Sequence, residues 1–314
     1  MTKFGLQMPN FTFSGVPDDG MFEQVADLAV AGEESGFDSV WVMDHFWQLP
    51  PLGGPTQPML EGYTLLGGLA ARTRRVKLGT LVTGVTYRNP ALLAKMVTTL
   101  DIVSGGRAIL GIGAAWYEEE HDGLGFDFPP AGERLDRLEE AHQICRAMFS
   151  EEAPSFTGKH YRIEKALNVP RPIQPEGPPI MVGGSGEKRT LRLVAKYADM
   201  CNVSGSPDTV RRLLGVLERH CADVGRDPTE ITKTRLASLF LSSSPEEAEQ
   251  TTGFLRDAAG AEFDERFNVG PPEAVVDQVA ALVDTGLDVL IFNMPFADAA
   301  TVRRAGELLV SRFG

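Results

Sequence analysis

The stretch PPIMVGGSGEKRTLRLVAK, residues 178–196, joins a short apolar run, a glycine-rich turn and the start of an amphipathic segment. We interpret residues 180–182 as a buried strand, residues 183–186 as a tight turn and residues 187–197 as a helix. Glycine lets the backbone approach a ligand closely, and the first turn of a helix presents free N–H groups that suit a phosphate. The stretch therefore indicates either a phosphate site or an ordinary strand-to-helix connection.

The same alternation of a short apolar strand and an amphipathic helix recurs along the whole chain. Strands are predicted at residues 4–8, 39–43, 76–82, 108–112, 180–182, 200–203, 232–241 and 289–293. The other helices are predicted at residues 21–35, 63–72, 90–103, 133–149, 209–224, 245–259, 272–285 and 299–311. Short, nearly all-apolar strands are typical of a parallel sheet that is buried on both faces. This pattern favours an α/β fold, a closed (β/α)8 TIM barrel, over a doubly wound open sheet, and predicts one domain over residues 1–314.

One segment interrupts the alternation, between the fourth helix and the fifth strand. Residues 150–178 lack a clean helical pattern and contain FTGKHYRI, residues 156–163, which is typical of a hairpin. We predict an insertion at this point that forms a lid or an oligomer contact.

Composition and charge exclude several classes of function. The formal charge of −13 argues against nonspecific binding of nucleic acid, which needs a basic surface. The chain has neither an apolar run long enough to span a bilayer nor the pattern of a secretory signal, so we expect a cytoplasmic protein without a membrane partner. The three cysteines and five histidines form neither CxxC nor HExxH spacing, and no metal site is predicted. An anionic ligand would need a local basic patch. Lys188, Arg189 and Arg192 either provide this patch or form a solvated helix face.

Polar and aromatic residues follow the predicted strands, where barrel enzymes place their active sites. His45 follows the second strand and is the best candidate for proton transfer, with Asp44 beside it to orient it; the alternatives are a structural histidine and a turn carboxylate. Trp47 and Trp116 are candidates either for the walls of a flat pocket or for core packing. The carboxylates at residues 118–120 are interpreted as a solvated loop or helix start.

Several longer motifs, in this order, carry a resemblance to a known family. They are GFDSVWVMDH at residues 36–45, VKLGTLVTGVTYRNP at 76–90, TLDIVSGGRAILGIG at 99–113, the glycine turn, and GPPE at 270–273. Over roughly residues 3–295 the chain resembles the bacterial luciferase-like superfamily of flavin and deazaflavin oxidoreductases. The resemblance implies a TIM barrel that binds a flavin-type ring at the strand ends, with coenzyme F420 as the expected cofactor and FMN as the alternative.

The resemblance also assigns roles to residues of the second and third strands. His45 and Asp44 resemble the Asp-His pair of the F420-using branch, in which the histidine is given proton transfer and the pair borders the ring. Leu81, Val82 and Thr83 match a bulge, often with a cis peptide that does not involve proline, behind the central ring.

Other positions are assigned to the phosphate and to the substrate. Gly183, Gly184 and Ser185 match the family's phosphate cradle, which Gly186 extends. Asn10 lies where the first strand meets the pocket. A homodimer is implied by the resemblance alone.

The predicted function is hydride transfer between F420 and a small organic substrate, with His45 as proton donor or acceptor. Two departures from the F420-dependent sugar-phosphate dehydrogenases argue against a sugar phosphate: Trp47 follows His45 too closely, and their acidic residue after the fourth strand aligns near Trp116. The alternatives are an FMN-dependent monooxygenase that uses oxygen and a partner reductase, and a noncatalytic flavin or deazaflavin carrier. A metal-dependent barrel hydrolase would need a ligand set that these residues do not offer.

Overall fold

Parallel strands close into a barrel in the computed structural model of this chain. The structure describes the backbone of residues 1–314 and every side chain except those at positions 254, 257–259, 261 and 264. The strands are β1 (Lys3–Met8), β2 (Ser39–Val42), β3 (Lys77–Thr80), β4 (Thr83–Gly84), β5 (Ala108–Gly113), β6 (Phe156–Thr157), β7 (Arg162–Ile163), β8 (Ile180–Gly183), β9 (Met200–Val203), β10 (Thr232–Leu241), β11 (Phe267–Gly270) and β12 (Val289–Asn293).

Eight of these strands form the closed ring. Going around it, they pair in the order β1, β2, β3, β5, β8, β9, β10 and β12, and β12 pairs with β1 to complete the circle. Every pair in the ring is parallel. The predicted (β/α)8 barrel is confirmed, and the parallel strands bring their carboxyl ends to one face.

Helices connect the strands on the outside of the ring. They are α1 (Met21–Glu34), α2 (Gly62–Arg72), α3 (Pro90–Ser104), α4 (Glu118–Leu124), α5 (Ala131–Ser150), α6 (Thr190–Tyr197), α7 (Pro207–Val224), α8 (Pro245–Ala259), α9 (Phe263–Arg266), α10 (Pro272–Val283) and α11 (Ala299–Phe313). Their apolar faces pack on the strands and form the larger core, as the spacing of their apolar residues predicts.

A second, smaller core fills the inside of the ring around Trp41. Its other buried members are Leu81, Ile109, Met181, Met200, Val289 and Ile291. The indole is accommodated because glycines face it: a Cβ built on Gly79 would lie 2.8 Å from the Trp41 ring, and one on Gly5 would lie 2.9 Å from Nε1. The indole N–H donates to Ser39 Oγ over 2.8 Å. These side chains pack inside the ring, and Trp41 also lines a cavity of about 490 Å³ at the amino ends of the strands, together with Lys3, Ser39 and Lys77.

Three local predictions need correction. Helix α6 begins at Thr190, its first buried residue, so the exposed residues 187–189 lengthen the glycine turn. Residues 118–124 form the short helix α4, whereas the sequence predicted only a loop or a helix start at residues 118–120. Strand β11 was also missed; it arises because β10 is ten residues long and extends past β9, so its upper half pairs with residues 267–270 instead.

The segment between α5 and β8 contains the antiparallel pair β6–β7, at the position of the hairpin pattern. The backbone N–H groups of Lys159, His160 and Tyr161 donate to the Glu140 carboxylate of α5 over 2.7, 3.0 and 2.9 Å. The hairpin therefore lies against the outside of α5. Within the described part of the chain it contributes no residue to the cavity at the strand ends, so it does not form the expected lid. The oligomer contact stays a prediction.

Candidate active site

A cavity of about 980 Å³ opens at the carboxyl ends of the barrel strands. Residues from most of the barrel strands and from the loops that follow them contribute to its wall. The described polar and charged lining residues are Gln7, Asp44, His45, Tyr87, Ser185, Thr190, Asn202, Ser204, Ser238, Glu262, Glu265, Arg266 and Asn293. This volume is large enough for a cofactor ring together with a small substrate.

The glycine turn forms one wall of the cavity. Gly183, Gly184, Ser185 and Gly186 all line it, followed by Thr190 at the start of α6. Gly184 has a φ of +133°, which side chains other than glycine rarely adopt, and a Cβ on Gly186 would come within 2.7 Å of Thr190 Oγ1. The turn therefore brings bare backbone to the cavity, as a phosphate cradle requires.

The end of the third barrel strand forms the wall beside this turn. The peptide bond between Leu81 and Val82 is cis, at the position where the resemblance places such a bond, and both residues line the cavity. A Cβ on Gly113 or on Gly183 would come within 2.8 or 2.9 Å of the Val82 side chain. The flanking glycines therefore let the Val82 side chain approach the neighbouring strands closely.

Glu120 is the partner of His45. Its Oε2 lies 3.1 Å from His45 Nδ1, although the two residues are 75 positions apart in the sequence. The same carboxylate accepts hydrogen bonds from the backbone N–H groups of Phe46 and Trp47, over 2.5 and 2.7 Å, and from the Tyr87 hydroxyl. Glu120 is fully buried, so the interpretation of residues 118–120 as solvated is wrong for this residue.

These contacts keep the Glu120 carboxylate ionised. Burial by itself raises its pKa, but the hydrogen bonds from His45, Tyr87 and the Trp47 backbone outweigh burial, and the pKa lies below its usual value. An ionised carboxylate accepts the Nδ1 proton, which fixes the neutral imidazole in the tautomer with a free lone pair on Nε2. Nε2 has no hydrogen-bond partner among the described residues, and the ring lines the cavity.

Asp44 pairs with a different group from the one expected. Arg88 donates to both of its carboxylate oxygens, over 2.7 and 3.0 Å, and also to Glu61 over 2.6 Å. Burial raises the pKa of Asp44, and the adjacent guanidinium opposes that shift. The Arg88 guanidinium lies 4.8 Å from the centre of the Tyr63 ring. Asp44 still borders the cavity, but the residue that orients His45 is Glu120.

Trp116 lies at the cavity edge, whereas three other predicted site residues lie outside its described lining. Trp116 is 62% exposed, and its ring is 5.6 Å from that of His45. Trp47 packs on helix α4, where a Cβ on Gly123 would be only 1.9 Å from its ring. The Asn10 side chain accepts the Phe296 N–H over 2.9 Å and so holds the loop after β12.

Thr83 is the third of these residues, and its hydroxyl forms hydrogen bonds inside the protein. Thr83 Oγ1 lies 2.7 Å from both the Tyr63 hydroxyl and Thr80 Oγ1. The residue is fully buried and does not belong to the described cavity wall. Its place at a strand end was visible in the sequence, but the direction of its side chain was not.

Of the two interpretations of Lys188, Arg189 and Arg192, the basic patch is not part of the described cavity wall. Arg189 donates to Asp136 and to the Gly132 carbonyl on α5, over 2.5 and 3.0 Å. Lys188 and Arg192 are exposed and are absent from the described lining. Nor do the described residues contain a group of three or more side chains suited to a metal ion. No helix in the described part of the chain has the length and apolarity needed to cross a bilayer.

The closed barrel and the polar cavity at its strand ends define the class: a TIM-barrel enzyme. The sequence model of the luciferase-like monooxygenase family matches residues 2–264, and the chain belongs to that family. An F420-dependent glucose-6-phosphate dehydrogenase of Kineococcus radiotolerans is 35% identical over 239 residues, which cover 74% of this chain and 68% of that protein. The enzyme of the same name from Microbacterium testaceum is 30% identical, and the match covers 92% of this chain and 93% of its own.

Solved structures share the fold over the whole chain. An F420-dependent secondary alcohol dehydrogenase, solved with an F420-acetone adduct, superposes with a TM-score of 0.83 at 19% identity and covers 100% of this chain and 99% of its own. The monooxygenase RslO1 of Streptomyces bottropensis gives a TM-score of 0.81 at 23% identity, covering 99% and 98%. The barrel is thus common to F420-dependent enzymes and to monooxygenases.

Proposed function

We propose that this chain, an F420-dependent oxidoreductase of the luciferase-like family, transfers a hydride between the deazaflavin and a small alcohol or carbonyl substrate. His45 takes or gives the matching proton. The observation that carries the proposal is that the glycine turn at residues 183–186 and the His45–Glu120 pair line or border one cavity. A phosphate anchor and a proton carrier are the two functions that such a reaction asks of the protein.

The residues present suit the cofactor. Gly183, Gly184 and Gly186 bring backbone without side chains to the cavity wall, and the cavity of about 980 Å³ is wide enough for a tricyclic ring. Leu81 and Val82 offer an apolar wall for one face of that ring. The glycine turn and the start of α6 would hold the phosphate.

The proton must be handled by the protein. When bound, F420 supplies a two-electron carrier, so the hydride from a substrate C–H bond has a destination while the hydroxyl proton leaves separately. Nε2 of His45 takes that proton, and Glu120 stabilises the resulting imidazolium through Nδ1. In the direction of carbonyl reduction, Nε2–H returns the proton to the substrate oxygen. Trp116 and Tyr117 flank the His45 ring, at 5.6 and 5.9 Å between centroids, and limit its rotation.

Titration of the purified protein with F420 and separately with FMN tests the cofactor assignment. We expect F420 fluorescence to be quenched with saturation and FMN to bind at least tenfold more weakly, roughly 1.4 kcal/mol in binding free energy. Tighter binding of FMN, with oxygen consumption in the presence of a reductase, would instead favour the monooxygenase alternative. Tight binding of F420 without turnover of any alcohol or ketone would favour a carrier.

The variant His45→Ala tests the proton role. With F420 still bound, we expect turnover to fall roughly 100-fold or more, because general acid–base catalysis typically contributes factors of this size. His220→Ala is the matched control: His220 lies on α7, outside the described cavity wall, and its Nε2 contacts the Glu187 carbonyl at 2.8 Å. An undiminished rate for His45→Ala would refute the assignment.

A further inference from the structure

The charges that residues 262–267 bring to the cavity wall indicate what kind of substrate the site accepts. This wall comes from the residues just before and at the start of β11: Glu262, Glu265, Arg266 and Phe267. Among the described lining residues, Arg266 is the single guanidinium, and none is a lysine. Arg266 already lies 3.7 Å from the carboxylate of Glu262, four positions before it.

A second guanidinium, that of Arg235, lies nearby and donates to two backbone carbonyls. Arg235 lies 2% exposed beneath this wall; its Nε donates to the Gly205 carbonyl over 2.9 Å and its Nη2 to the Glu265 carbonyl over 2.5 Å. Its Nη1 is buried without a hydrogen-bond partner among the described residues, and Arg235, which holds two cavity loops together, does not belong to the described cavity wall. The Glu265 carboxylate, in contrast, belongs to a residue that lines the cavity.

The remaining described wall combines apolar side chains with uncharged polar ones such as Gln7, Asn202 and Asn293. The apolar members are led by Met43, Leu49, Trp116, Leu236 and Phe267. Asp44 is the other acidic lining residue, and Arg88 neutralises it. Phosphate sites use arginine, lysine or clustered backbone N–H groups. With the glycine turn taken by the cofactor phosphate, the described cavity wall leaves only the Arg266 guanidinium for a second phosphate, and Glu262 is already its partner.

We infer that the substrate is an uncharged alcohol or carbonyl compound with an apolar body, and that phosphorylated substrates are excluded. The inference rests on the proposed function and specifies its substrate class. It separates this chain from the glucose-6-phosphate dehydrogenases that its sequence matches. Among the described residues of this wall, a dianion beside Glu262 and Glu265 would face two carboxylates and one exposed guanidinium that is already paired.

The test compares neutral and phosphorylated substrates on F420-loaded protein. 2-Propanol, cyclohexanol and 1-phenylethanol are the neutral probes, and glucose 6-phosphate is the anionic one. We expect kcat/KM for the best neutral alcohol to exceed that for glucose 6-phosphate by roughly 100-fold, since unfavourable charge pairs cost several kcal/mol. If none of the alcohols reacts, calorimetric titration of the loaded protein decides: a glucose 6-phosphate Kd below about 1 mM contradicts the inference, and the absence of binding sustains it.

A charge reversal adds an independent readout. Glu262→Lys is expected to strengthen inhibition of the loaded enzyme by inorganic phosphate roughly tenfold, because it replaces a repulsive charge with an attractive one. Glu307→Lys on α11 changes the net charge equally but is exposed and away from the described cavity wall, so it should have no effect. Failure of F420 to bind would contradict the proposed function, whereas preferential use of glucose 6-phosphate with F420 bound would contradict only the substrate class.

Discussion

Replacing Glu120 with glutamine would test the link between the buried carboxylate and His45. One oxygen of Glu120 accepts the Phe46 and Trp47 backbone N–H groups, and the other contacts His45 and Tyr87. Glutamine keeps an acceptor for the two backbone groups but places an N–H₂ donor opposite His45 Nδ1. The ring must then present Nδ1 as the acceptor and Nε2 as the donor, which removes the lone pair from the cavity side.

The size of the effect follows from the bond that is lost. A hydrogen bond to a charged group contributes about 1.5–3 kcal/mol. Since about 1.4 kcal/mol corresponds to a factor of ten in rate, we expect alcohol oxidation to slow roughly 10- to 150-fold. Glu118→Gln is the control, because Glu118 is an exposed residue of the same helix and loses the same charge.

Three measurements separate a loss of catalysis from a loss of structure. The rate of cofactor reduction is followed with the best alcohol of the neutral panel, the F420 Kd by fluorescence quenching, and the free energy of unfolding in urea. We expect the rate of cofactor reduction to fall. The F420 Kd should stay within about twofold, a change of less than about 0.5 kcal/mol in binding free energy. An oxidation rate within twofold of the unmodified protein, or an F420 Kd weakened as much as the rate, would refute the reasoning.

Three other replacements test the cofactor cradle, the buried ion pair and the acid sensitivity of the fold. Gly184→Ala should weaken F420 binding by about tenfold because φ is +133° there. Gly67→Ala on α2 should leave F420 binding unchanged, because its new Cβ meets nothing within 4 Å. Equal F420 Kd values for the two variants would contradict this. Arg88→Met leaves Asp44 buried and unpaired and should lower the free energy of unfolding by about 3–5 kcal/mol. The further change Asp44→Leu should recover most of this loss. A loss of unfolding free energy below about 1 kcal/mol in Arg88→Met would contradict the prediction. Burial holds the pKa of His142 at about 3, against 6.5 when unfolded. The unfolded chain therefore binds a proton that the folded chain does not, and the free energy of unfolding falls as the pH drops below 6.5. His142→Leu should reduce the loss of unfolding free energy between pH 8 and pH 5 by about 2 kcal/mol. Parallel curves of unfolding free energy against pH for the two proteins would exclude this.

The repeating elements and the strand-end positions could be read from local patterns. The apolar runs and helical spacings located the eight barrel strands, and the glycines at residues 183–186 marked the turn on the cavity wall. His45 could be singled out because it directly follows a predicted strand in a fold whose strand ends form the active site. These inferences succeed because strand and helix periodicity depends on each residue's immediate neighbours.

The partners of the site residues could not be read in this way. The EEE run at residues 118–120 offers three carboxylates of the same kind, and only the direction of α4 selects Glu120 for His45. Asp44 stands next to His45 in sequence, yet its carboxylate meets Arg88, whereas the His45 ring meets Glu120.

The amino-acid order alone thus settled which segments become the eight barrel strands and most of the helices between them, where the backbone is bare, and which histidine reaches the strand ends. Closure of the ring settled which carboxylate sits behind that histidine, which side chains turn inward from the same strand ends, and which charges surround the substrate. The physical reason is range: burial patterns are local, whereas a hydrogen bond across 75 residues, such as that between His45 and Glu120, exists only once the whole barrel has set the spacing of its strands.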